Sequence, residues 1–104
     1  MTERLLREHP DLMGLYVAGG GISGALAALR ASDRAGKVVT VGYELMDDTR
    51  AALLDGILTL VISHPFERLS DEVMSGMIKA LNTRPKGGTF TSILPFDIYT
   101  RENI

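Results

Sequence analysis

Three glycines and one acidic residue have the spacing of a phosphate-binding motif. Gly19, Gly21 and Gly24 form the pattern G-x-G-x-x-G within "LYVAGGGISGALAALR", and Glu44 follows Gly24 by 20 residues. A glycine-rich turn between a strand and a helix directs backbone N–H groups toward an anion, and an acidic residue at this distance accepts hydrogen bonds from ribose hydroxyls. On spacing alone, the stretch is a dinucleotide-binding fingerprint.

The same glycines have two other interpretations. Glycine is common where a strand turns tightly into a helix and where the helix packs closely, so the motif also has a purely structural explanation. The remaining interpretation is that the turn faces a different ligand. The residue types leave all three open: a nucleotide, a structural turn and another small molecule.

Hydrolytic and zinc chemistry have less support from the residue types. Ser23 or Ser63 would need a base held by a third group to act as a nucleophile. The adjacent His64 points away from Ser63 if the strand end keeps its alternation. Neither His9 nor His64 has a companion at ligand spacing, and the chain has no cysteine. We therefore expect a binding protein without enzymatic activity, cofactor or metal.

Composition limits the class of protein. The chain has 104 residues, 45% of them hydrophobic, and a formal net charge of −2. This length gives one domain at most, with enough apolar residues for a modest core. The 11 basic and 13 acidic residues are scattered, which gives no basic patch for nucleic acid. The absence of an apolar run of about 18 residues argues against membrane insertion, and the lack of cysteine fits the cytoplasm.

Apolar strands alternate with amphipathic helices along the chain. The spacing predicts helices over residues 2–9, 22–31, 47–54 and 66–81, strands over residues 15–18, 37–44 and 57–62, and an extended segment over residues 90–99. This alternation predicts a parallel sheet with right-handed crossovers. Ligands of such sheets lie beyond the carboxyl ends of the strands, which are here residues 19–23, 43–47 and 63–65.

The sequence resembles the second half of the effector-binding domain of LacI-type transcriptional regulators, which share a fold with periplasmic sugar-binding proteins. The likeness is carried, in the family's own order, by "EHPDL", "LYVAGG", "GALAALR", "VTVGYE", "TRAALLDG", "LVISHP", "FERLSDEVMSGMIKAL" and "IYTRENI". It covers nearly all of the chain. The resemblance implies a Rossmann-like three-layer α/β fold with a parallel sheet, as the C-terminal part of a periplasmic-binding-protein-like type I domain.

The resemblance also implies a sugar or polyol effector, bound in the cleft between two subdomains. By position, Gly19 and Gly20 stand where the family has the polar pair "Nd". Glu44 stands where the family has the aspartate of "GYD". Ser63 and His64 stand where it has the glutamine and aspartate of "QDP".

Departures from the family pattern bear on the identity of the effector. Gly19 and Gly20 lack the side chain that hydrogen-bonds a sugar hydroxyl, so contact there would come from the backbone or from the neighbouring Ser23. Ser63 is shorter than glutamine, and His64 has a ring that can donate, accept or stack. We expect an effector different from that of regulators with the full pattern. The predicted ligand-binding residues are Gly19, Gly20, Ser23, Glu44, Ser63 and His64.

Two parts of the regulators have no counterpart in residues 1–104. These are the N-terminal helix-turn-helix, which binds operator DNA, and a complete N-terminal subdomain. The resemblance therefore implies a C-terminal portion of a cytoplasmic regulator, with operator DNA bound through a domain outside these residues. Residues 63–104 would form a crossing strand end, a helix and a final strand that contact the other subdomain. Half of a periplasmic-type sugar carrier is the second hypothesis, and a nucleotide-binding enzyme domain is the third.

The predicted helix over residues 66–81 has a wide apolar stripe. Leaving so many large side chains in water would forfeit free energy comparable to the stability of a small domain. We therefore expect a homodimer or higher oligomer that buries residues among Val73, Met77 and Leu81. The stripe comprises Phe66, Leu69, Val73, Met74, Met77, Ile78 and Leu81.

Overall fold

The computed structural model describes residues 1–83 and 91–104. The elements are α1 (Thr2–Glu8), β1 (Gly14–Tyr16), α2 (Ile22–Ala31), β2 (Val39–Tyr43), α3 (Asp47–Leu54), β3 (Leu60–Ser63), α4 (Phe66–Thr83) and β4 (Asp97–Tyr99). The strands form one sheet in the order β1-β2-β3-β4, and β2 is parallel to both β1 and β3. The predicted α/β alternation and the parallel pairing of these strands are confirmed.

The described residues divide into two compact units. The first comprises Met1–Ser63 and Ile98–Ile104, and the second comprises His64–Asp97. The second unit contains α4, and within it Ser92 Oγ donates a hydrogen bond to the Glu72 carboxylate over 3.3 Å. No helix in the described part of the chain combines the length and apolar character needed to span a membrane.

One apolar cluster holds the first three helices against the sheet of the first unit. α2 contributes Ile22, Leu26 and Leu29 at the three- and four-residue spacing of a buried helix face. Leu6 of α1, Leu53 of α3 and Val61 of β3 belong to the same cluster. Because each fully buried side chain of this size contributes roughly 1.5–3 kcal/mol, these contacts fix the three helices on the sheet.

Successive side chains of a strand point to opposite faces of the sheet, and those that point away from this core include exposed apolar residues. Tyr16 of β1 is 57% exposed and Val39 of β2 is 56% exposed, whereas Thr40, next to Val39, is fully buried. None of the residues in β1, β2 or β3 is charged. The cluster that packs α1, α2 and α3 therefore covers one set of strand side chains, and the alternate set is an uncharged surface.

Two predicted strands have different bounds because their backbone hydrogen bonds begin elsewhere. β1 starts at Gly14 rather than Leu15, and the amide of Val39 donates to the carbonyl of Met13 over 2.8 Å. β3 starts at Leu60 rather than Ile57. The amides at positions 57 and 58 donate to the carbonyl of residue 52 over 3.0 and 3.1 Å, so they close the end of α3 instead.

Three other predicted elements are shorter in the structure. Helix α1 ends at Glu8 rather than His9, which is its C-cap with an extended φ of −125°. β2 starts at Val39 rather than residue 37, whose amide donates within a turn to the carbonyl of residue 34 over 2.9 Å. Of the predicted extended segment over residues 90–99, only Asp97–Tyr99 is a strand, and residue 90 lies outside the described residues.

Two adjacent leucines of α3 provide a test of the core. Leu53 is fully buried, and Leu54 is 50% exposed. We expect Leu53→Ala to lower the free energy of unfolding by roughly 2–5 kcal/mol, because it leaves a cavity in the cluster. Leu54→Ala, measured beside it by urea denaturation, should change the value by about 0.5 kcal/mol or less. Equal losses for the two variants would contradict this assignment of the core.

Candidate functional site

The turn between β1 and α2 uses glycines whose backbone is left-handed. Gly19 has a φ of 111° and Gly21 has a φ of 91°. Gly21 is the N-cap of α2, and the amide of Ala25 donates to its carbonyl over 3.0 Å. Residues with a Cβ are strained at such angles, so the backbone itself requires glycine at these two positions. Gly20 lies between them and is exposed.

The third glycine of the motif lacks the packing that a dinucleotide fingerprint requires. In that fingerprint it allows the helix to approach the strand closely. A Cβ added to Gly24 would have none of the described atoms outside its own helix turn within 4 Å. A Cβ added to Gly42 of β2 would instead lie 3.0 Å from Ile22 Cδ1. The close approach of α2 to the sheet therefore occurs at Gly42, which the motif does not include.

Glu44 follows β2 and contacts another predicted site residue. It has a φ of 66°, and it is the one described residue other than glycine with a positive φ. Its amide donates to the carbonyl of Ile62 over 2.9 Å. Ser63 Oγ donates to Glu44 Oε2 over 3.2 Å. The ends of two neighbouring strands thus bring Glu44 and Ser63 together, and strained residues of this kind concentrate at functional sites.

Ser23 contacts an acidic residue that sequence analysis did not assign to the site. Its Oγ donates to Asp48 Oδ2 over 2.6 Å, and the amide of Thr49 donates to Asp48 Oδ1 over 2.8 Å. The hydrogen bond from Ser23 is the main cause that holds the pKa of Asp48 below its ordinary value. An ionised carboxylate therefore links the first turns of α2 and α3.

A threonine side chain caps the N-terminus of α3. The N-cap is Met46, and the helix begins at Asp47. The amide of Met46 donates to Thr49 Oγ1 over 2.7 Å, so a side chain three residues further along makes the cap. The two aspartates lie in the first turn, where the helix dipole stabilises negative charge.

Two tyrosines end the first two strands and contact each other. The rings of Tyr16 and Tyr43 have centroids 5.7 Å apart and an interplanar angle of 75°. Their hydroxyls form a hydrogen bond, which is the main cause that raises the pKa of Tyr16 above its ordinary value. Because Tyr16 pairs with Val41 in the sheet, Tyr43 is its diagonal neighbour. Sequence analysis had not paired the two residues.

His64 follows Ser63 in the chain and belongs to the second unit, where it is exposed. Its part in the ligand site remains a prediction, as do those of Gly19 and Gly20. Within the described residues, no group of three or more histidine, cysteine, aspartate or glutamate side chains is arranged to hold a metal ion.

The polar groups in the first unit at the carboxyl ends of the strands favour one kind of ligand. Residues 16–24, 43–49 and 60–63 contain no lysine, arginine or histidine. The functional groups there include the carboxylates of Glu44 and Asp48 and the hydroxyls of Ser23 and Ser63. Carboxylates accept hydrogen bonds from hydroxyl groups and repel phosphates. The surface therefore suits a neutral, hydroxyl-rich molecule better than a nucleotide.

Substitution of Ser23 tests the electrostatics of Asp48. Ser23→Ala removes the main hydrogen bond to the carboxylate, so we expect the pKa of Asp48 to rise toward its ordinary value in an NMR titration. A matched control is Ser32→Ala, whose hydroxyl donates to the carbonyl of Leu29 at the other end of α2. An unchanged pKa of Asp48 in the Ser23 variant would contradict the assignment.

We also expect Ser23→Ala to change the stability of the chain in acid. Because the pKa of Asp48 is lower in the folded chain, the ionised group stabilises the folded state above its unfolded pKa, and this contribution is lost as the pH falls through the folded pKa. Ser23→Ala should therefore reduce the loss of stability between roughly pH 5 and pH 2, measured by urea midpoints.

Comparison with known protein families gives no match to this chain. Among characterised proteins, it is 42% identical over 57 residues to a D-ribose/D-allose-binding protein of Pseudomonas aeruginosa, an overlap of 54% of this chain and 18% of that protein. It is 26% identical over 104 residues to a D-apiose import binding protein of Paraburkholderia graminis, covering 99% of this chain and 33% of that protein. The chain thus spans at most about one third of these relatives.

Solved structures show a similar fold over nearly the whole chain. A solute-binding protein of an ABC transporter from Agrobacterium vitis, with bound D-fucose, matches 98% of this chain and 35% of its own, at 21% identity and a TM-score of 0.77. A protein assigned as a LacI transcriptional regulator from Bacteroides fragilis matches 97% of this chain and 34% of its own, at 22% identity and a TM-score of 0.71. The chain therefore has the fold of part of a periplasmic-binding-protein-like type I domain.

Proposed function

We propose that this chain supplies one side of a cleft that binds a neutral sugar or polyol. The observation that carries the proposal is the pair of contacts Ser63–Glu44 and Ser23–Asp48, which gathers two carboxylates and two hydroxyls at the carboxyl ends of parallel strands. Two similar proteins, the D-ribose/D-allose-binding protein and the D-apiose import binding protein, are named for sugars.

Each polar group has a distinct part in the proposed site. The Glu44 carboxylate accepts hydrogen bonds from sugar hydroxyls, and Ser63 orients it by donating to Oε2. Asp48 provides a second acceptor, oriented by Ser23. The exposed backbone of Gly19 and Gly20 donates N–H groups where a side chain is absent.

We also propose that the site binds its ligand without transforming it. The similar proteins are named as binding proteins, and in this proposal Ser23 Oγ and Ser63 Oγ orient the carboxylates of Asp48 and Glu44 toward the ligand. A serine nucleophile instead needs a general base held by a third group.

For the whole protein, we propose sugar sensing by a LacI-type regulator in the cytoplasm, with operator DNA bound by a domain beyond these residues. The segment "IYTRENI" supports this proposal, because it is one of the segments that carry the resemblance to LacI-type regulators. A periplasmic-type sugar carrier is the second candidate. It fits the comparisons about as well as the regulator does, because two of the similar proteins are sugar-binding proteins. The reading frame upstream distinguishes the two, because a helix-turn-helix there identifies the regulator and a secretion leader identifies the carrier.

Titration with sugars tests the proposed site. A cleft ligand buries most of its surface between two lobes, so we expect the chain by itself to bind with a dissociation constant above about 1 mM. Amide chemical shifts should change at residues 19–23, 44 and 63 when D-ribose, D-allose or D-fucose is added. Glu44→Gln should weaken the response, and the control Asp33→Asn should leave it unchanged.

Two results would contradict the proposed site. Shift changes confined to other residues, or no shift changes with any of the sugars, would exclude a sugar site at the strand ends. Micromolar binding by calorimetry would also contradict it, because the site would then be complete without a second lobe.

We further propose that two copies of the chain pair through α4. Six large apolar side chains of this helix are about half to three-quarters exposed: Phe66, Val73, Met74, Met77, Ile78 and Leu81. Residues 66–73 carry three acidic side chains and one basic, a net charge of −2, whereas residues 74–83 carry only Lys79. An antiparallel pair opposes the two ends and is therefore electrostatically complementary, and it covers both stripes.

Sedimentation tests the pairing. We expect a species of twice the 11.3 kDa chain mass at high concentration. Met77→Asp should dissociate it, because it inserts a charge into the apolar stripe. Ser75→Asp adds the same charge outside the stripe and should leave the dimer intact. A folded monomer at every concentration tested would overturn the proposal.

A further inference from the structure

A buried threonine ties together both ends of the turn that contains Glu44. Thr49 is fully buried in the first turn of α3. Its Oγ1 accepts a hydrogen bond from the amide of Met46 over 2.7 Å and lies 2.8 Å from the carbonyl oxygen of Glu44. The carbonyl of Met46 is a longer alternative acceptor at 3.1 Å. A hydroxyl has one proton, so the shorter distance favours donation to Glu44.

We propose that Thr49 is a positioning residue for the Glu44 carboxylate, a proposal that rests on the proposed sugar site. Glu44 has a backbone conformation that disfavours residues with a Cβ, at φ 66°. Two hydrogen bonds hold it there. Its amide donates to the carbonyl of Ile62 over 2.9 Å, and its carbonyl accepts from Thr49.

This backbone position determines where the carboxylate lies. With both peptide groups of Glu44 held, the side chain reaches Ser63 Oγ at 3.2 Å. If the carbonyl lost its donor, Glu44 could relax toward an ordinary φ, and its side chain would leave the end of β3. Thr49 therefore acts on the ligand through Glu44 and does not contact the ligand.

The contact with Glu44 is separate from helix capping. A capping residue needs only the hydrogen bond from the amide of Met46. Thr49 also donates to the carbonyl of Glu44, five residues earlier and outside the helix. The two functions predict different results, because capping affects the stability of α3 whereas the second contact also affects the orientation of Glu44.

Two variants of Thr49 and one control separate these functions. Thr49→Val removes the hydroxyl and keeps the shape, and Thr49→Ser restores the hydroxyl. Thr40→Val is the control, because Thr40 is also fully buried, and its hydroxyl donates to the carbonyl of Val38 at the other end of β2. D-ribose titrations and amide hydrogen exchange are measured on the full chain under native conditions.

We expect Thr49→Val to raise the dissociation constant for D-ribose roughly 2- to 12-fold, the range that corresponds to one hydrogen bond. It should also speed hydrogen exchange of the Glu44 amide relative to the amides of β2. Thr49→Ser should restore both values, and Thr40→Val should lower global stability without changing the dissociation constant.

The sugar titration tests the proposed sugar site, and hydrogen exchange tests the role of Thr49 independently of it. If the unsubstituted chain shows no shift changes with D-ribose, D-allose or D-fucose, the proposed sugar site is wrong, and hydrogen exchange at Glu44 alone decides whether Thr49 holds this turn. If Thr49→Val leaves both the dissociation constant and the exchange of Glu44 at the values of the unsubstituted chain, Thr49 is a capping residue only and the inference is overturned.

Discussion

The close approach of Ile22 to the backbone of Gly42 is the contact on which the site geometry depends. A Cβ at Gly42 would lie 3.0 Å from Ile22 Cδ1, a spacing tight enough to force one of them to move. Ile22 is the first residue of α2, and Gly42 lies two residues before Glu44. Packing at this point, together with that of Leu26 and Leu29, brings the glycine turn and Ser23 to the end of the sheet where Glu44 follows β2.

Hydrogen bonds between elements then fix the polar groups at that end. Ser63 links β3 to Glu44, and Ser23 links α2 to Asp48 at the start of α3. The resulting surface has two carboxylates and two hydroxyls, and the negative charge of the carboxylates disfavours a phosphate at the N-terminus of α2 despite the helix dipole. These carboxylates therefore argue against the nucleotide that the glycine spacing suggested.

Periodicity and turn chemistry predicted the helices and the parallel sheet well, because the apolar spacing of α2 and the near-continuous apolar run of β2 directly reflect burial. The polar partners were harder to predict. Asp48 and Thr49 both belong to a helix start in sequence, and only packing across 25 residues joins Ser23 to Asp48. The dinucleotide fingerprint assigns the close approach of helix and strand to its third glycine, here Gly24, but the approach occurs at Gly42. Spacing in sequence does not reveal which glycine faces a helix.

We propose that this chain carries part of a sugar site that needs a second lobe. The most direct test is a hybrid in which the chain replaces the matching third of the D-apiose import binding protein, with calorimetry against D-apiose and other pentoses. We predict binding at least about tenfold tighter than by the chain alone, because the ligand is then enclosed on both sides. A folded hybrid that binds none of these sugars, or binds no better than the chain alone, would contradict the account.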